Sequence, residues 1–248
     1  MTNSEPATQD TEPPGLLSAA RAFGVVAGGT FILNAAGAVS VAVVVRSVAR
    51  RRRPSVPATV GTVAAGVYFA AVRPWMRRWG ATRDEAETAL PGDELLADAP
   101  WAKQTRAITI DAPVDAVWPW LAQIGQDRGG FYSYEWLENL AGCKMHNAQC
   151  VHAEWQHRTV GDQVRLHPSG GLRLLRFDPN EAFGMEGGWN LALKSLDPGS
   201  CRLYARSRQR RNTAGALYVT LIELPHFIME RKMLLGIKQR AEKPAYRG

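Results

Sequence analysis

The sequence contains little cysteine, and its first third contains few acidic residues and no lysine. Cys143, Cys150 and Cys201 are the only cysteines in 248 residues, an odd number and too few for a disulfide framework. Residues 1–83 hold ten arginines and three acidic residues, so the whole formal charge of +7 lies there, while residues 84–248 are neutral. Nucleic-acid-binding domains carry Lys and Arg on their own globular surface. No nucleic-acid partner is therefore expected.

Motifs for common enzyme chemistry and cofactors are also missing. The sequence has no nucleophile elbow, and Gly125-x3-Gly129-Gly130 lacks the strand-to-helix context and the later acidic residue of a dinucleotide site. We therefore predict no cofactor.

One short segment gathers four residues that can bind zinc. Cys143, His146, Cys150 and His152 lie within ten residues, and zinc does bind sets of two Cys and two His. Their spacing matches neither a zinc finger nor a zinc ribbon. We therefore predict no metal and give His146 a structural role in its loop.

A long uncharged run lies near the N-terminus. Phe23–Val45 contains 23 residues without a charge and ends at Arg46 and the cluster Arg50–Arg53. About 20 apolar residues are enough for a helix to cross the hydrocarbon core of a bilayer. A cleavable signal peptide has a shorter apolar region behind a positive leader, whereas the leader here is acidic. The pattern therefore predicts an integral membrane anchor.

A second apolar run, Val56–Val72, has 17 residues, with Pro57 at its start and Pro74 just after its end. This length is at the short end of the spanning range, so the run is interpreted either as a second span or as an interfacial helix. Nine arginines follow the first run and only Arg21 precedes it, which places the C-terminal end of the first span in the cytoplasm. The soluble domain then lies outside the cytoplasm if the second run spans, and inside if it does not.

Small residues four positions apart occur in both runs. They are Gly24-x3-Gly28 in the first and Gly61-x3-Ala65 in the second. Such spacing lets two membrane helices approach closely. It favours packing of the two runs against each other.

These patterns divide the chain into four parts. Residues 1–20 are predicted to be a disordered tail and residues 21–83 the anchor, with a span at 23–45 and either a second span or an interfacial helix at 56–72. The acidic segment 84–100, with Pro91-Gly92 and Pro100, is predicted to be a linker. Residues 101–243 are predicted to form the soluble domain.

The spacing of apolar residues in the predicted soluble domain changes along the chain, from mostly strand-like to helical at the C-terminal end. Alternation of polar and apolar residues predicts strands, and helical spacing predicts two short helices after the first strand and a long helix at the C-terminus. Pro225 leaves open whether a strand ends near Leu224 and the last helix begins only at His226. The predicted strands cover Thr105–Asp111, Val160–His167, Leu172–Phe177, Trp189–Leu196 and Cys201–Arg208. The order predicts an α+β fold in which a curved antiparallel sheet wraps around the C-terminal helix.

Four segments of this domain resemble a known superfamily. They are Thr105–Gly142, which contains RGGFYSYEWLEN, then Glu154–Gln156, Val160–Leu166 and Met229–Glu242. They look like the SRPBCC superfamily, and more narrowly like its membrane-anchored bacterial members called START-like or polyketide cyclase-like. The resemblance implies a helix-grip fold, with about seven strands around a long C-terminal helix and an apolar cavity between them. Members bind lipids, sterols, polyketides or quinones, and some catalyse cyclisation or hydrolysis.

The function predicted from the sequence is membrane-tethered binding of a hydrophobic small molecule or lipid. Because one fold can host carriers and enzymes, two alternatives stay open. One is a cyclase or hydrolase with Glu154 or His146 as the acid/base group, and the other is a non-catalytic partner-binding domain with a filled interior. Binding is favoured over catalysis, and the oligomeric state is not predicted.

The candidate ligand-binding residues combine polar groups with aromatic rings. A carboxylate such as Glu154 in an apolar cavity would have a raised pKa, and Arg128 could hold an anionic group of the ligand or the carboxylate of Glu138. Aromatic side chains near a cavity mouth offer an apolar body and a polar group. The full set is Arg128, Tyr132, Trp136, His146, Glu154, Trp155 and Gln156.

Overall fold

A computed structural model describes residues 16–95 and 102–243. Most of the predicted tail, residues 1–15, lies outside these ranges. Residues 16–20, which were assigned to the tail, belong to the first helix, α1, which covers Leu16–Ala49.

The two apolar runs form an antiparallel helical hairpin. Helix α1 packs along α2, a continuous helix over Val56–Arg77. The segments Thr30–Ala49 and Val56–Arg77 have mean hydropathies of 1.9 and 1.3 and are both long and apolar enough to cross a membrane. The second run is therefore part of a helix of spanning length, although its apolar residues alone are at the lower limit.

Small residues allow the close approach within this hairpin. A Cβ atom added to Gly61 would lie 2.2 Å from Ser40 Oγ, and one added to Gly37 would lie 3.3 Å from Ala65 Cβ. The Gly61-x3-Ala65 spacing thus faces α1, as expected. Its partners are Gly37 and Ser40, however, and a Cβ on Gly28 would meet no atom within 4 Å.

The soluble domain is α+β, as predicted, with a curved antiparallel sheet. The described residues form six strands in one sheet, in the order β1-β6-β5-β4-β3-β2. The prediction of about seven strands exceeds this number. The strands are β1 Ala102–Ile110, β2 Gln163–His167, β3 Gly170–Asp178, β4 Ala182–Met185, β5 Trp189–Asp197 and β6 Ser200–Gln209. Sequence patterns missed β4, because its four residues are all buried and show no alternation.

Among the described residues after α2, three short α-helices precede the long C-terminal helix. They are α3 Arg83–Glu87, α4 Val114–Ala122 and α5 Glu135–Leu140. The last helix, α6, consists of three consecutive segments, Thr213–Leu217, a π-helical turn at Tyr218–Ile222, and Glu223–Ala241. The alternative strand before His226 is therefore absent from this described part of the chain.

Proline explains why α6 widens instead of ending. Pro225 lacks the N–H group that would bond to the preceding turn, and its ring displaces a carbonyl there. A π-helical turn directly before it accommodates both effects. The same relation recurs in α2, where the π-helical turn Tyr68–Val72 precedes Pro74.

The inner face of the sheet packs against α4 and α6. Its side chains form one large apolar core, in which Trp120, Phe183 and Leu191 are almost completely buried.

The outer face of β6 is covered by the segment predicted to be a linker. Arg206 is fully buried and donates to the backbone oxygens of Glu85 (2.8 Å) and Thr88 (2.9 Å) and to the Asp93 carboxylate. Arg202 pairs with the Glu85 carboxylate at 2.8 Å. Residues 83–95 are thus docked on the sheet by charge pairing, and residues 96–101 lie outside the described ranges.

Candidate functional site

A cavity of about 470 Å³ lies between the inner face of the sheet and α6. This size falls within the roughly 300–1,000 Å³ typical of small-molecule sites. Most of its wall is apolar, and its apolar and sulfur-containing side chains include Phe131, Met145, Leu166, Leu172, Trp189, Ile222, Met229 and Met233. The polar groups in the wall are Ser133, Glu138, Cys143, Glu186, Ser207, Gln209, Tyr218, His226 and Glu230.

The first part of α6 lies between this cavity and the helical hairpin. Ala214, Tyr218 and Ile222 line the cavity, whereas Val219 and Thr220 face the groove along α1. The side chain of Asn34 in α1 donates to the Thr220 carbonyl at 2.7 Å. One helical segment thus forms a wall of the cavity on one side and contacts an apolar helix, long enough to cross a membrane, on the other.

A hydrogen-bonded cluster occupies the cavity wall at this end. Glu230 Oε1 accepts from Trp189 Nε1 at 2.7 Å and lies 3.4 Å from His226 Nε2, and His226 Nδ1 contacts the Tyr218 hydroxyl. Burial raises the pKa of Glu230, but the ion pair with Arg106 and the nearby His226 outweigh this and lower the pKa to about 2. Glu230 is therefore a buried, ionised and fully paired carboxylate.

Charge pairing extends from this cluster to the end of α2. Arg106 bonds Glu230 and the side chain of Gln104, and Gln104 Nε2 lies 3.4 Å from Glu223 Oε1. Glu223 in turn accepts from Arg73 at 2.6 Å and from Arg77 at 2.5 Å. The network links the second apolar helix, the first strand and the C-terminal helix through buried groups.

Glu138 is a second carboxyl group in the cavity wall, and unlike Glu230 it has no ion pair with a described residue. The residue is 9% exposed, and its Oε2 atom is buried without a hydrogen-bond partner among the described residues. Burial, with a smaller effect from Glu135, raises the pKa of Glu138 to about 7. Burial also raises the pKa of the neighbouring Cys143 thiol to about 11, so that thiol is neutral at physiological pH.

None of the seven residues predicted from the sequence belongs to the described lining of this cavity. Arg128 donates to the carbonyls of Trp155 (3.0 Å) and His157 (3.1 Å) rather than to Glu138 or a ligand. Gln156 donates to the His152 carbonyl at 3.0 Å. Arg128 thus holds the loop that contains Trp155 and Gln156 through hydrogen bonds to its backbone.

The other four predicted residues are scattered. Glu154 has a side chain 67% exposed, and His146, 90% exposed, lies 2.8 Å from Glu135 Oε1. Trp136 is 68% exposed, and Tyr132 is buried in the core, where its hydroxyl donates to the Trp120 carbonyl at 3.0 Å. Acid/base chemistry by Glu154 or His146 would therefore take place at the surface and not in the cavity.

The Cys/His segment does not gather into a metal site. Cys150 Sγ lies 3.3 Å from His152 Nε2, but the described part of the chain has no group of three or more His, Cys, Asp or Glu side chains placed to hold a metal.

Sequence reasoning missed the polar groups that do line the cavity. His226 and Glu230 line the cavity, and together with Glu223, which does not line it, they have the spacing i, i+3 and i+7 that places residues on one face of a helix. A polar stripe on a helix predicted to be buried was the signal that could have identified them. Glu138 gave no such signal, because exposed glutamates are common on short helices.

The comparisons with known proteins add no assignment. No protein-family model matches the chain, and a search of curated proteins gives no match either.

Proposed function

We propose that this protein is membrane-anchored and binds a hydrophobic small molecule or lipid in the cavity between its sheet and its C-terminal helix. The observation that carries the proposal is the position of the cavity. Its wall includes Tyr218 and Ile222, and the same helical segment contacts α1 through Thr220. A cavity beside a membrane helix suits a ligand that is insoluble in water.

The energetics favour such a placement. Moving a hydrocarbon chain from water into an apolar cavity is favourable by about 0.8 kcal/mol per CH₂ group, whereas moving it from a bilayer gains almost nothing. A cavity that opens near the bilayer lets the ligand enter without crossing water. Selectivity then depends on the few polar groups in the wall.

The proposed membrane arrangement has both helices of the hairpin crossing the bilayer. The connecting loop with Arg50–Arg53 then lies on one face, and the soluble domain lies on the other. The pairing of Arg73 and Arg77 with Glu223 supports placing the end of α2 at the surface of the membrane, against the domain.

The helix-grip fold of the SRPBCC superfamily is the fold family we propose. It rests on the six-stranded antiparallel sheet, the long C-terminal helix and the cavity between them, together with the sequence resemblance. An open cavity of this size weighs against the alternative in which side chains fill the interior.

A variant that blocks the cavity mouth tests the binding function. Ala214 is exposed and also lines the cavity, while Leu217, 50% exposed on the same segment, does not line it. We expect Ala214→Trp to lose at least tenfold of any apolar molecule that mass spectrometry finds bound to the purified wild type, and Leu217→Trp to retain it. The proposal is wrong if all three proteins carry only bulk bilayer lipid in equal amounts.

A second candidate, an acid/base enzyme, is favoured by one specific observation. Tyr218, His226 and Glu230 form a chain of contacts in the cavity wall, in which a carboxylate orients an imidazole toward a hydroxyl. If these three side chains convert the ligand, the wild type should carry product and His226→Gln should carry unreacted substrate, so the bound molecules should differ in mass. Identical bound molecules in both proteins would exclude turnover by this group.

A further inference from the structure

We propose that the cavity selects an uncharged apolar molecule that ends in a single hydroxyl group, and that Glu138 recognises this hydroxyl. This inference rests on the proposed binding function and specifies its ligand class.

The orphaned oxygen of Glu138 is the first observation. Glu138 is nine-tenths buried and lines the cavity, and its Oε2 has no partner among the residues that the structure describes. A buried polar atom without a hydrogen bond has lost its bonds to water without a replacement, which destabilises the empty cavity. A ligand that donates one hydrogen bond to Oε2 removes this cost.

The charges around the cavity exclude anionic ligands. The described lining contains the carboxyl groups of Glu138, Glu186 and Glu230 and no lysine or arginine. Arg106 is the nearest buried cation in the network, and Glu230 already neutralises it. A fatty-acid carboxylate or a phosphate headgroup would thus enter a wall of acidic groups that contains no lysine or arginine, and the one imidazole in the wall, His226, already lies 3.4 Å from Glu230.

The number of donors decides between a hydroxyl and an ammonium group. An ammonium group has three N–H donors, and Oε2 is the one side-chain atom of Glu138 that is buried without a partner among the described residues. The remaining donors and the positive charge would be buried in a cavity whose wall is mostly apolar, with side chains such as Phe131 and Met145, which is costly. A hydroxyl group has one donor, which can bond to the ionised carboxylate of Glu138. Its oxygen can also accept a hydrogen bond from the carboxyl O–H when Glu138 is protonated. It therefore fits Glu138 in both protonation states, and the raised pKa makes both accessible near neutral pH.

Probes with the same 12-carbon chain and different ends test this selection. Dodecan-1-ol, dodecanoate, dodecylammonium and dodecane are equilibrated with the full-length protein in lipid nanodiscs, and the amount retained above empty nanodiscs is measured by mass spectrometry over a concentration series. We expect the alcohol to bind at least tenfold more tightly than the other three. Glu138→Leu should lower the affinity for the alcohol about tenfold and leave that for dodecane unchanged.

A matched variant controls for a general disturbance of the helix. Glu135→Gln changes a glutamate on the same helix that does not line the cavity and should retain alcohol binding. The inference is overturned if dodecanoate, dodecylammonium or dodecane binds as well as the alcohol, or if Glu138→Leu binds the alcohol like the wild type. If no probe is retained above empty nanodiscs, the proposed binding function itself fails.

Discussion

Arg73, in the last turns of α2, donates to Glu223 at 2.6 Å, and Glu223 is only 1% exposed. This ion pair joins the second apolar helix to the start of the third segment of α6, next to the π-helical turn that lines the cavity. The apolar hairpin and the cavity wall are therefore joined through the same buried carboxylate.

Replacing Glu223 should loosen this connection. In Glu223→Gln, Arg73 and Arg77 lose their shared counter-charge, and removing one partner of a buried pair costs several kcal/mol. Both arginines are partly exposed, so we expect a smaller loss of about 2 kcal/mol, equivalent to roughly 4–8 °C in Tm for a chain of this size. Thermal unfolding in detergent measures it. Glu87→Gln, in an exposed pair with Lys103 at 3.5 Å, is the control and should change Tm by less than about 2 °C.

Packing within the hairpin should depend on Gly61 and not on Gly66. A Cβ atom on Gly61 would lie 2.8 Å from Ser40 Cβ, whereas one on Gly66 of the same helix would meet nothing within 4 Å. Gly61→Ala should therefore destabilise the protein by about 1–3 kcal/mol through overpacking. Gly66→Ala should be neutral or slightly stabilising, because alanine favours helix more than glycine does. Equal melting temperatures of the two variants would contradict the observed helix contact.

The two ends of α2 should be accessible from opposite faces of the membrane. Cys150 is the exposed native cysteine of the soluble domain, and Ser55 lies in the exposed loop after the arginine cluster. In sealed vesicles of one orientation, a membrane-impermeant maleimide should label either native Cys150 or the cysteine of Ser55→Cys, Cys150→Ser, but not both. Labelling of both from one side would show that α2 does not cross the bilayer.

The pH dependence of stability should report the buried carboxyl of Glu138. Its pKa rises from an ordinary 4.5 to about 7 in the folded protein, so the folded state binds more protons than the unfolded state between these pH values. The free energy of unfolding therefore falls as pH rises through this window, by about 3 kcal/mol in total.

Glu138→Gln isolates this effect, because it removes the titrating group and keeps its size. Between pH 5 and pH 8 the Tm of the wild type should fall by roughly 6–12 °C more than that of the variant. Glu135→Gln serves as a comparison, since it removes only the smaller contribution to the shift. Parallel pH profiles for wild type and Glu138→Gln would contradict the assigned pKa.

The pattern of polar and apolar residues along the chain predicted those helices and strands that have a clear periodicity of their own. The uncharged runs, the five alternating strands and the C-terminal helix all reappear in the structure, because hydrophobic periodicity depends on neighbouring residues only. β4 escaped detection because a strand buried on both faces has no alternation. The linker prediction failed to anticipate the docked segment 83–95, since its partners, Arg202 and Arg206, lie more than 100 residues away.

Composition and periodicity were enough to predict two apolar helices, the α+β class and the concentration of charge in the first third of the chain, because these are properties of short segments. The residues that line the cavity could be identified only from the folded chain. Glu138, His226 and Glu230 line it, whereas Arg128, His146 and Glu154 do not. Burial depends on which distant elements cover a side chain. Here the sheet and α6 enclose carboxyl groups that look like ordinary surface residues in their own segments.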